Sequence, residues 1–284
     1  MMPSEKVLAL HDAHHSYGTF AEFQSELPGL LQQGDVLNDC IQVSMALGIL
    51  EPLTGEHIPP EALLIHGPNW RESLVGNGLL SRNRAALVLL ERLYGSIDAL
   101  KEQDVYLVEA LTGFALWMKG QLGDDRLFCS EYLDEAEGNF SEIPHQDLCA
   151  LSFSNASFDL LLCNELFEHV QHLDQAFAEI ARVLRPGGRL VATCPLAFGQ
   201  MESIVKAVAD PHTGELKFLG EADFHGDPVR PHSGSLVYRI PGWDILSQLQ
   251  QAHFSQSQMH HIASWKYGVL GSDLPGVLVI EAVR

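Results

Sequence analysis

The sequence lacks a basic cluster, a long apolar run and a Cys-x-x-Cys pair, and each absence excludes a class of protein. The chain of 284 residues carries 17 Lys and Arg against 37 Asp and Glu, which gives a formal net charge of −20. Because phosphate binding requires clustered Lys and Arg, this balance disfavours nucleic acid and anionic lipid surfaces as partners. The same acidic balance suits a cationic cofactor or substrate.

Long hydrophobic runs are also missing. No stretch approaches the roughly 20 uninterrupted apolar residues that a membrane-spanning helix requires. The first fifteen residues include Glu5, Asp12 and three histidines but no apolar run with a cleavage site, which is unlike a secretory signal. We therefore expect a cytoplasmic protein with no membrane partner.

Cysteine and histidine are present without the spacing of a metal or disulfide site. The cysteines are Cys40, Cys129, Cys149, Cys163 and Cys194. Their odd number and wide scatter indicate neither a zinc ribbon nor a disulfide framework, so buried thiols are expected. Adjacent histidines occur at His14-His15 and His260-His261, but neighbouring side chains on one element point in different directions. We therefore expect no metal site.

Residues 1–100 are predicted to form a mostly helical region. Apolar residues recur at three- and four-residue steps over Phe20–Leu31 and Val36–Leu50. A Pro- and Gly-rich connection covers 51–80, and a further helix is expected from 81 to 93 with Ser81 as its cap. On that helix, Arg82 and Arg84 could bind a carboxylate, although surface salt bridges are the expected role.

From residue 101 to 284 the pattern changes to short apolar runs that alternate with amphipathic stretches. The predicted strands are Val105–Val108, Arg126–Ser130, Phe158–Cys163 and Leu190–Pro195, and the predicted helices are Phe114–Leu122 and Phe167–Leu184. Arg185-Pro-Gly-Gly188 is expected to stop the second helix. This alternation predicts an α/β fold with a Rossmann-like, doubly wound, mostly parallel sheet.

The tail breaks the alternation. It predicts a helix over Trp243–Ala252 and then two strands, Gln256–Ala263 and Val277–Val283, with no helix between them. Two consecutive strands are typical of an antiparallel hairpin, which we expect at the edge of the sheet.

Polar side chains follow the predicted strands at their carboxyl ends, where an open parallel sheet binds ligands. They are Glu109, Thr112 and Gly113 after the first strand, Glu131 after the second, Asp147-Leu148 after the next segment and Asn164-Glu165 after the third. A carboxylate after the second strand suits both hydroxyls of a ribose. An Asp beside an apolar residue suits an adenine, and acidic groups near the first strand suit the ammonium of an amino-acid-bearing cofactor.

Three segments in order carry a family resemblance: Asp147–Asp159, Asn164–Val170 and Arg182–Leu190. Their Phe-Asp, Glu-His-Val and Pro-Gly-Gly motifs, at this spacing, closely resemble class I S-adenosylmethionine-dependent methyltransferases of the type 11 group. The resemblance spans roughly residues 104–200 and, weakly, the tail. It implies an enzyme with S-adenosylmethionine as cofactor, with Glu131 at the ribose and Asp147 with Leu148 at the adenine. Asn164 and Glu165 would line the mouth where the methyl group is transferred.

The first motif departs from the family pattern. The family usually has an acidic residue followed by Gly-x-Gly-x-Gly, whereas Glu109-Ala-Leu-Thr-Gly113 retains only the final glycine. Those glycines let the backbone approach the cofactor closely, so Ala110 and Leu111 put cofactor geometry in question. Relatives associated with surface-glycan modification are similar to this variant, and they share the motifs Ser130-Glu-Tyr132 and His225-Gly-Asp-Pro228. The cysteines that some of them carry before Ser81-Arg-Asn-Arg-Ala85 are absent here, so no zinc is implied.

The predicted cofactor-binding residues are Glu109, Thr112, Gly113, Glu131, Tyr132, Asp147, Leu148, Asn164 and Glu165. Methyl transfer from a sulfonium is an in-line displacement to which proximity contributes much, so a base is needed only when the acceptor loses a proton early. His169 is the first candidate base, followed by His225 and Asp227 on an insert from about 200 to 238 that could cover the substrate. Each also has a structural interpretation, as a helix-start residue or as part of a loop turn.

The expected acceptor is a small molecule or a sugar, methylated on oxygen or nitrogen. Residues 1–100 could shape the acceptor pocket or mediate a homodimer, and the sequence leaves both open. A nicotinamide-dependent oxidoreductase would need Gly-x-Gly-x-x-Gly after the first strand, where Glu109–Gly113 instead places a carboxylate. A non-catalytic binding or scaffold protein with the same fold is the remaining alternative.

Overall fold

The computed structural model describes residues 4–210 and 213–284. Its α-helices are α1 (Glu5–Ala9), α2 (Phe20–Gln32), α3 (Leu37–Leu47), α4 (Ser81–Tyr94), α5 (Ile97–Lys101), α6 (Gly113–Leu122), α7 (Leu173–Val183) and α8 (Asp244–Gln251). Short 3₁₀ helices cover Gln33–Val36, Pro60–Ala62 and Phe167–His169. No helix within these described ranges has the length and apolar content to cross a membrane.

The strands are β1 (Ala13–Tyr17), β2 (Ile49–Leu50), β3 (His57–Ile58), β4 (Val105–Leu107), β5 (Leu127–Cys129), β6 (Phe158–Asn164), β7 (Leu184–Thr193), β8 (Ile204–Val205), β9 (Ala207–Ala209), β10 (Leu216–Phe218), β11 (Phe224–His225), β12 (Ser235–Leu236), β13 (Arg239–Ile240), β14 (Gln256–Ala263) and β15 (Val277–Val283). The main sheet has seven strands in the order β1-β14-β15-β7-β6-β4-β5. β4 pairs in parallel with both β5 and β6, and β6 pairs in parallel with β7. The predicted Rossmann-like, mostly parallel sheet is confirmed.

The strand order reverses at β4, which positions the site. From β4 the chain passes to β5 on one side and then crosses to β6 on the other side. In an open α/β sheet, the crevice beyond the carboxyl ends of strands at such a point is where ligands bind. The residues that follow β4, β5 and β6 therefore border this crevice.

Burial explains why the central strands form. All three residues of β4 are fully buried, as is Leu161 of β6, and strands covered on both faces read as continuous apolar runs. Tyr106 of β4 packs against Phe153 with ring centroids 5.0 Å apart, and Phe153 meets Phe158 at 4.9 Å. The Tyr106 hydroxyl lies 2.8 Å from Ser130 Oγ, so its polar end is satisfied inside the core.

The chain forms two compact units. The first comprises the residues up to Gln103 with Leu116–Arg126 and Gln258–Ile280, and the second comprises Asp104–Ala115, Leu127–Ser257 and Glu281–Arg284. A buried cluster that includes Leu10, Ile41 and Leu270 forms a core of the first unit. The candidate site residues after β4, β5 and β6 belong to the second unit.

The N-terminal region is mostly helical, as expected, but it also contains strand β1, which was not predicted. This strand pairs antiparallel with β14, so that His15 lies opposite His261. The expected edge hairpin of β14 and β15 consequently has another strand outside it. The residues of β1 show no polar and apolar alternation, and the partner lies about 250 residues away, so no local pattern reveals this strand.

The first helices otherwise follow the prediction. Thr19 caps α2 through a capping box with Glu22, whose carboxylate accepts the backbone N–H of Thr19. The helix expected over Val36–Leu50 ends earlier, at Leu47, because Gly48 adopts φ +77°. A Cβ at Gly48 would lie 2.3 Å from the Ile58 carbonyl oxygen, so only glycine fits this turn into the β2–β3 hairpin.

The roles expected for Arg84 and Ser81 were wrong. Arg84 is fully buried, and its guanidinium donates to four backbone carbonyl oxygens, those of Leu74, Leu79, Tyr267 and Gly268, at 2.6–2.9 Å. Burial lowers the pKa of Arg84 to about 9. Ser81 Oγ does not cap the helix but accepts the backbone N–H of Leu270.

By contrast, Arg82 forms the expected ion pair, with Glu72. Its Nε lies 2.9 Å from a carboxylate oxygen of Glu72, and both side chains are partly exposed. The two arginines therefore share a helix but differ in environment, one at the surface and one inside the first unit.

The helix predicted over Phe167–Leu184 is interrupted. A 3₁₀ turn covers Phe167–His169, and α7 begins only at Leu173. Phe167 and Phe177 still pack together, with ring centroids 5.1 Å apart, which accounts for the continuous apolar face in the sequence. β7 begins directly at Leu184, and Gly187 with φ +80° lies inside it rather than in a separate turn.

The insert and the cysteines complete the second unit. Within about 200–238, short antiparallel pairs join β9 with β10 and β11 with β12, while β8 pairs with β13 just beyond. All five cysteines are free thiols. The three on predicted strands (Cys129, Cys163 and Cys194) are buried as expected, and so is Cys40 in α3, whereas Cys149 is only partly buried. Burial raises the pKa of Cys163 well above its ordinary value, which keeps this thiol protonated and unreactive.

Candidate active site

Glu109 lies at the switch point, two residues after β4, and is held by two neighbours. One carboxylate oxygen accepts the Thr112 hydroxyl at 2.5 Å, and the other accepts the side-chain amide of Asn164 at 2.6 Å. The Thr193 hydroxyl donates to Asn164 Oδ1 at 3.1 Å. The predicted residues Glu109, Thr112 and Asn164 therefore form one hydrogen-bonded network across the ends of β4, β6 and β7.

Thr112 also caps α6. Its hydroxyl oxygen accepts the backbone N–H of Ala115 at 3.1 Å, which satisfies one of the free donors at a helix start. Gly113, another predicted site residue, is the first residue of this helix. The network thus fixes where α6 begins relative to the end of β4.

Glu131 follows β5 and reaches back to the loop after β4. Its Oε1 accepts the backbone N–H groups of Ala110 at 2.8 Å and of Leu111 at 3.1 Å. Its other oxygen accepts no hydrogen bond from the described residues. Burial raises the pKa of Glu131, the two backbone donors oppose that shift, and the nearby carboxylates of Glu109 and Asp227 reinforce it.

The loop that replaces the glycine-rich motif has no backbone conformation that would require glycine. Ala110, Leu111 and Thr112 are absent from the residues with positive φ in the described chain, so their side chains cause no left-handed backbone strain. The two N–H groups held by Glu131 instead fix the loop. The altered motif is therefore accommodated by a contact from the second strand.

Glu165 stands in an unusual backbone conformation directly after β6. Its φ is +52°, and its N–H donates to the Thr193 carbonyl oxygen at 2.8 Å. Non-glycine residues in this region cost free energy and are found preferentially at functional sites. The conformation occurs at the point where Asn164 and Glu165 were predicted to line the site.

The remaining predicted cofactor residues lie on the segments after β5. Asp147 Oδ1 accepts the Cys149 N–H at 2.8 Å in a tight turn, and Leu148 is buried. Tyr132 is 46% exposed, its hydroxyl donates to Asp134, and the Arg230 guanidinium lies 5.4 Å from the ring centroid. Tyr132 therefore takes part in a surface contact rather than in the Glu109 network.

His169 and His225 come together around a residue that the sequence reasoning missed, Glu168. His169 Nε2 and His225 Nδ1 each lie 3.6 Å from Glu168 Oε1, and the two rings meet edge to face with centroids 5.0 Å apart. Glu168 is fully buried. Its carboxylate raises the pKa of His225, and burial opposes this effect. The Glu-His pair in the quoted motif was the signal available for Glu168.

Asp227 organises the insert. Its carboxylate accepts the Val229 N–H at 2.7 Å, the Arg230 guanidinium at 2.8 Å and the Ser235 hydroxyl. Burial raises the pKa of Asp227, but these donors outweigh it and the net shift is downward. The carboxylate is thus saturated by its own loop, which agrees with the loop-turn interpretation.

The comparisons with known proteins match part of the chain to methyltransferases. Residues 128–192 match the family model described as a methyltransferase domain. A curated relative, methyltransferase GfsG of Streptomyces halstedii, is 36% identical over 64 residues, which is 22% of this chain and 23% of that protein. The chain therefore matches less than a quarter of the length of this curated relative.

Solved methyltransferases show weaker likeness. One from Mesorhizobium loti is 16% identical with a TM-score of 0.42, over 64% of this chain and 91% of that one. The 1,6-didemethyltoxoflavin-N1-methyltransferase of Burkholderia thailandensis is 19% identical with a TM-score of 0.41, over 71% and 77%. Both TM-scores lie below 0.5.

The family model covers β6, α7 and β7, and its ends fall at the start of β5 and the end of β7. It includes the Asp147–Asp159, Asn164–Val170 and Arg182–Leu190 segments on which the resemblance depends. The strand order and the network at the switch point come from the structure independently. Residues 128–192 are therefore similar to a methyltransferase domain, within a chain whose sheet is Rossmann-like and mostly parallel.

Proposed function

We propose that this chain binds S-adenosylmethionine beyond the carboxyl ends of β4, β5 and β6 and methylates an oxygen or nitrogen of a small molecule or sugar. The observation that supports it most is the convergence of Glu109, Glu131 and Asn164 at the switch point. Hydroxyl-accepting carboxylates and an acidic surrounding suit a ribose and a positively charged sulfonium.

The residues present fit this cofactor. Glu131 Oε2 is available to accept a ribose hydroxyl while Oε1 holds the loop, and a ligand donor there would compensate the burial that raises its pKa. Asp147 with Leu148 would hold the adenine. When bound, the cofactor supplies a methyl group activated by the sulfonium charge. Glu109 acts within the protein, by positioning Asn164 and the start of α6.

Proton removal from the acceptor falls to the imidazoles near the insert. The side chain of His225 is 36% exposed and that of His169 is 14% exposed. A ring nitrogen of each faces the buried carboxylate of Glu168. Because an imidazole must be neutral to accept a proton, the raised pKa of His225 shifts base catalysis by this residue to higher pH. Asp227 would keep the insert in place.

A second candidate is a binding or scaffold protein that retains the fold. It is favoured by Glu109, each of whose oxygens already accepts a hydrogen bond from within the protein, from Thr112 or from Asn164. Cofactor binding distinguishes the two candidates.

The acceptor is tested by methyl-labelled S-adenosylmethionine with three separate acceptor sets: small hydroxylated or amino compounds with simple sugars, total protein, and total RNA. The proposal expects label only in the small-molecule set. Label confined to protein or RNA would refute the proposed acceptor class, and no cofactor turnover with bound cofactor would favour the scaffold candidate.

A further inference from the structure

The buried carboxylate of Glu168 lacks the hydrogen bonds that such a group requires. Glu168 is fully buried, and neither of its oxygens has a hydrogen-bond partner among the described residues. An ionised carboxylate taken out of water is costly unless a cation or several donors compensate it. Two imidazole nitrogens face Oε1, both at 3.6 Å, which is beyond hydrogen-bond length.

The orientation of His169 makes this arrangement informative. Its Nδ1 lies 2.9 Å from the Leu236 carbonyl oxygen, which can only accept a hydrogen bond, so Nδ1 carries the proton. In the neutral ring, Nε2 then presents its lone pair toward the carboxylate of Glu168. Two lone pairs that face each other need a positive charge between them. A carbonyl partner on the second ring nitrogen is also how metal-bound histidines are oriented.

The spacing suits one ion. Tetrahedral ligands at bond lengths of about 2.0–2.1 Å lie roughly 3.3–3.4 Å apart. The ligand atoms of Glu168, His169 and His225 lie within 4.8 Å of one another, with two of the separations at 3.6 Å. Small side-chain movements would therefore close the set around an ion.

We infer that Glu168, His169 and His225 form a three-ligand site for a divalent transition-metal ion. Two imidazoles and one carboxylate are a donor set typical of Zn²⁺ or Fe²⁺ with open coordination positions. The carboxylate is fully buried, whereas the His225 side chain is 36% exposed, so the open positions face the accessible side. With an ion bound, the ligating nitrogens of His169 and His225 cannot accept a proton, so the ion would replace them by coordinating a hydroxyl of the acceptor and favouring its ionised form; this role, unlike metal binding itself, rests on the proposed function.

The surroundings of the site are acidic. Asp223 receives the Lys206 ammonium at 2.6 Å, and the carboxylates of Asp223 and Glu165 act electrostatically on His225. These negative charges favour a divalent cation over an anion at this position. They also favour the protonated imidazole of His225, which is the arrangement that the experiment must distinguish from a metal site.

The test is calorimetric titration of the chelator-treated full chain with Zn²⁺ alone, at a pH where free histidine is neutral. We expect one ion per chain for the wild type. Glu168→Gln and His225→Gln should each weaken binding at least about 100-fold, beyond the 10–100-fold typical of an outer-shell partner. His232→Gln is the control, because His232 is 89% exposed and pairs with Glu137 instead. Stoichiometric binding that neither ligand variant weakens, or no wild-type binding, would overturn the inference.

Co²⁺ absorption gives a second measurement that depends on no variant. A four-coordinate site of this kind should produce intense visible bands on Co²⁺ addition to the wild type, and their loss on Zn²⁺ addition. A Co²⁺ spectrum identical to that of the free ion would overturn the inference. Titration of the same preparation with S-adenosylhomocysteine separates the two proposals: cofactor binding without metal binding refutes only the metal site, and metal binding without cofactor binding refutes only the proposed function.

Discussion

Removal of the Glu131 carboxylate should weaken cofactor binding and loosen the loop after β4. Glu131→Ala deletes the acceptor of two backbone N–H groups, those of Ala110 and Leu111, and the oxygen proposed for the ribose. Each function belongs to a different oxygen of the same side chain. The substitution therefore has two measurable consequences.

The size of both effects follows from the contacts. A hydrogen bond to a charged group contributes about 1.5–3 kcal/mol, so loss of the ribose contact should raise the dissociation constant about 10- to 150-fold. Two backbone donors without an acceptor should lower the free energy of unfolding by about 1–3 kcal/mol, because relief of the buried charge offsets part of the loss. At about 2–4 °C per kcal/mol, the melting temperature should fall by roughly 2–12 °C.

Calorimetric titration with S-adenosylhomocysteine and thermal unfolding measure these effects. Glu131→Gln retains one oxygen acceptor, so it should preserve more of the stability than Glu131→Ala and still bind the cofactor more weakly than the wild type. Glu142→Ala, at an exposed carboxylate of the same unit, is the control and should change neither quantity. Unchanged affinity in folded Glu131→Ala would refute the assignment of Glu131 to the cofactor site.

Three further predictions concern stability. Arg84→Met should destabilise the first unit by at least about 3 kcal/mol in denaturant unfolding, because four carbonyl oxygens lose their donor. Arg82→Met, on the same helix, should cost at most about 1 kcal/mol. Equal effects of the two substitutions would contradict the stabilising role of the buried Arg84. Thr112→Val should lower the free energy of unfolding by about 0.5–2 kcal/mol, because the hydroxyl that caps α6 is lost. Thr112→Ser keeps the hydroxyl and should retain most of the wild-type stability. If the Ser variant is as unstable as the Val variant, the hydroxyl is not the cause of the loss. Burial lowers the pKa of His261 to about 4, so the unfolded chain binds a proton near pH 6.5 that the folded chain takes up only near pH 4. The unfolding free energy should therefore fall by about 3 kcal/mol as pH drops from 6.5 to 4, and His261→Gln should remove this part of the slope; an unchanged slope would assign the acid sensitivity to other groups.

The parts of the fold that could be predicted are those with local signals. Continuous apolar runs predicted the central strands, and β14 and β15 were placed at their observed bounds, Gln256–Ala263 and Val277–Val283. Strand β1 was missed because it depends on a pairing with β14 far along the chain. The break between Phe167–His169 and α7 was missed because Phe167 and Phe177 share one apolar surface, although no continuous helix joins them.

The site was predictable as a set of strand ends but not as a network. Spacing placed Glu109, Glu131 and Asn164 after their strands, and the structure brings them within hydrogen-bond reach of one another or of the same loop. Sequence could not show that Glu131 anchors Ala110 and Leu111, which explains how the loop forms without its glycines. Nor could the sequence show that Arg84 is buried, because its four partners are backbone carbonyls, which every residue type provides.

Glu168 illustrates the same limit at the candidate metal site. In the sequence it stands beside His169 in a motif attributed to the family, and its link to His225 arises only when the insert folds back. The tautomer of His169 depends on the Leu236 carbonyl, 67 residues away. The contacts that define this candidate metal site join residues far apart in the chain, so the sequence alone does not reveal them.

The central claim is that this chain binds S-adenosylmethionine in the crevice beyond β4, β5 and β6. Its most direct test is calorimetric titration of the purified chain, free of carried-over ligand, with S-adenosylmethionine and separately with S-adenosylhomocysteine. We predict micromolar binding of both at one site per chain. A folded chain that binds neither ligand would contradict the claim and leave the scaffold candidate in its place.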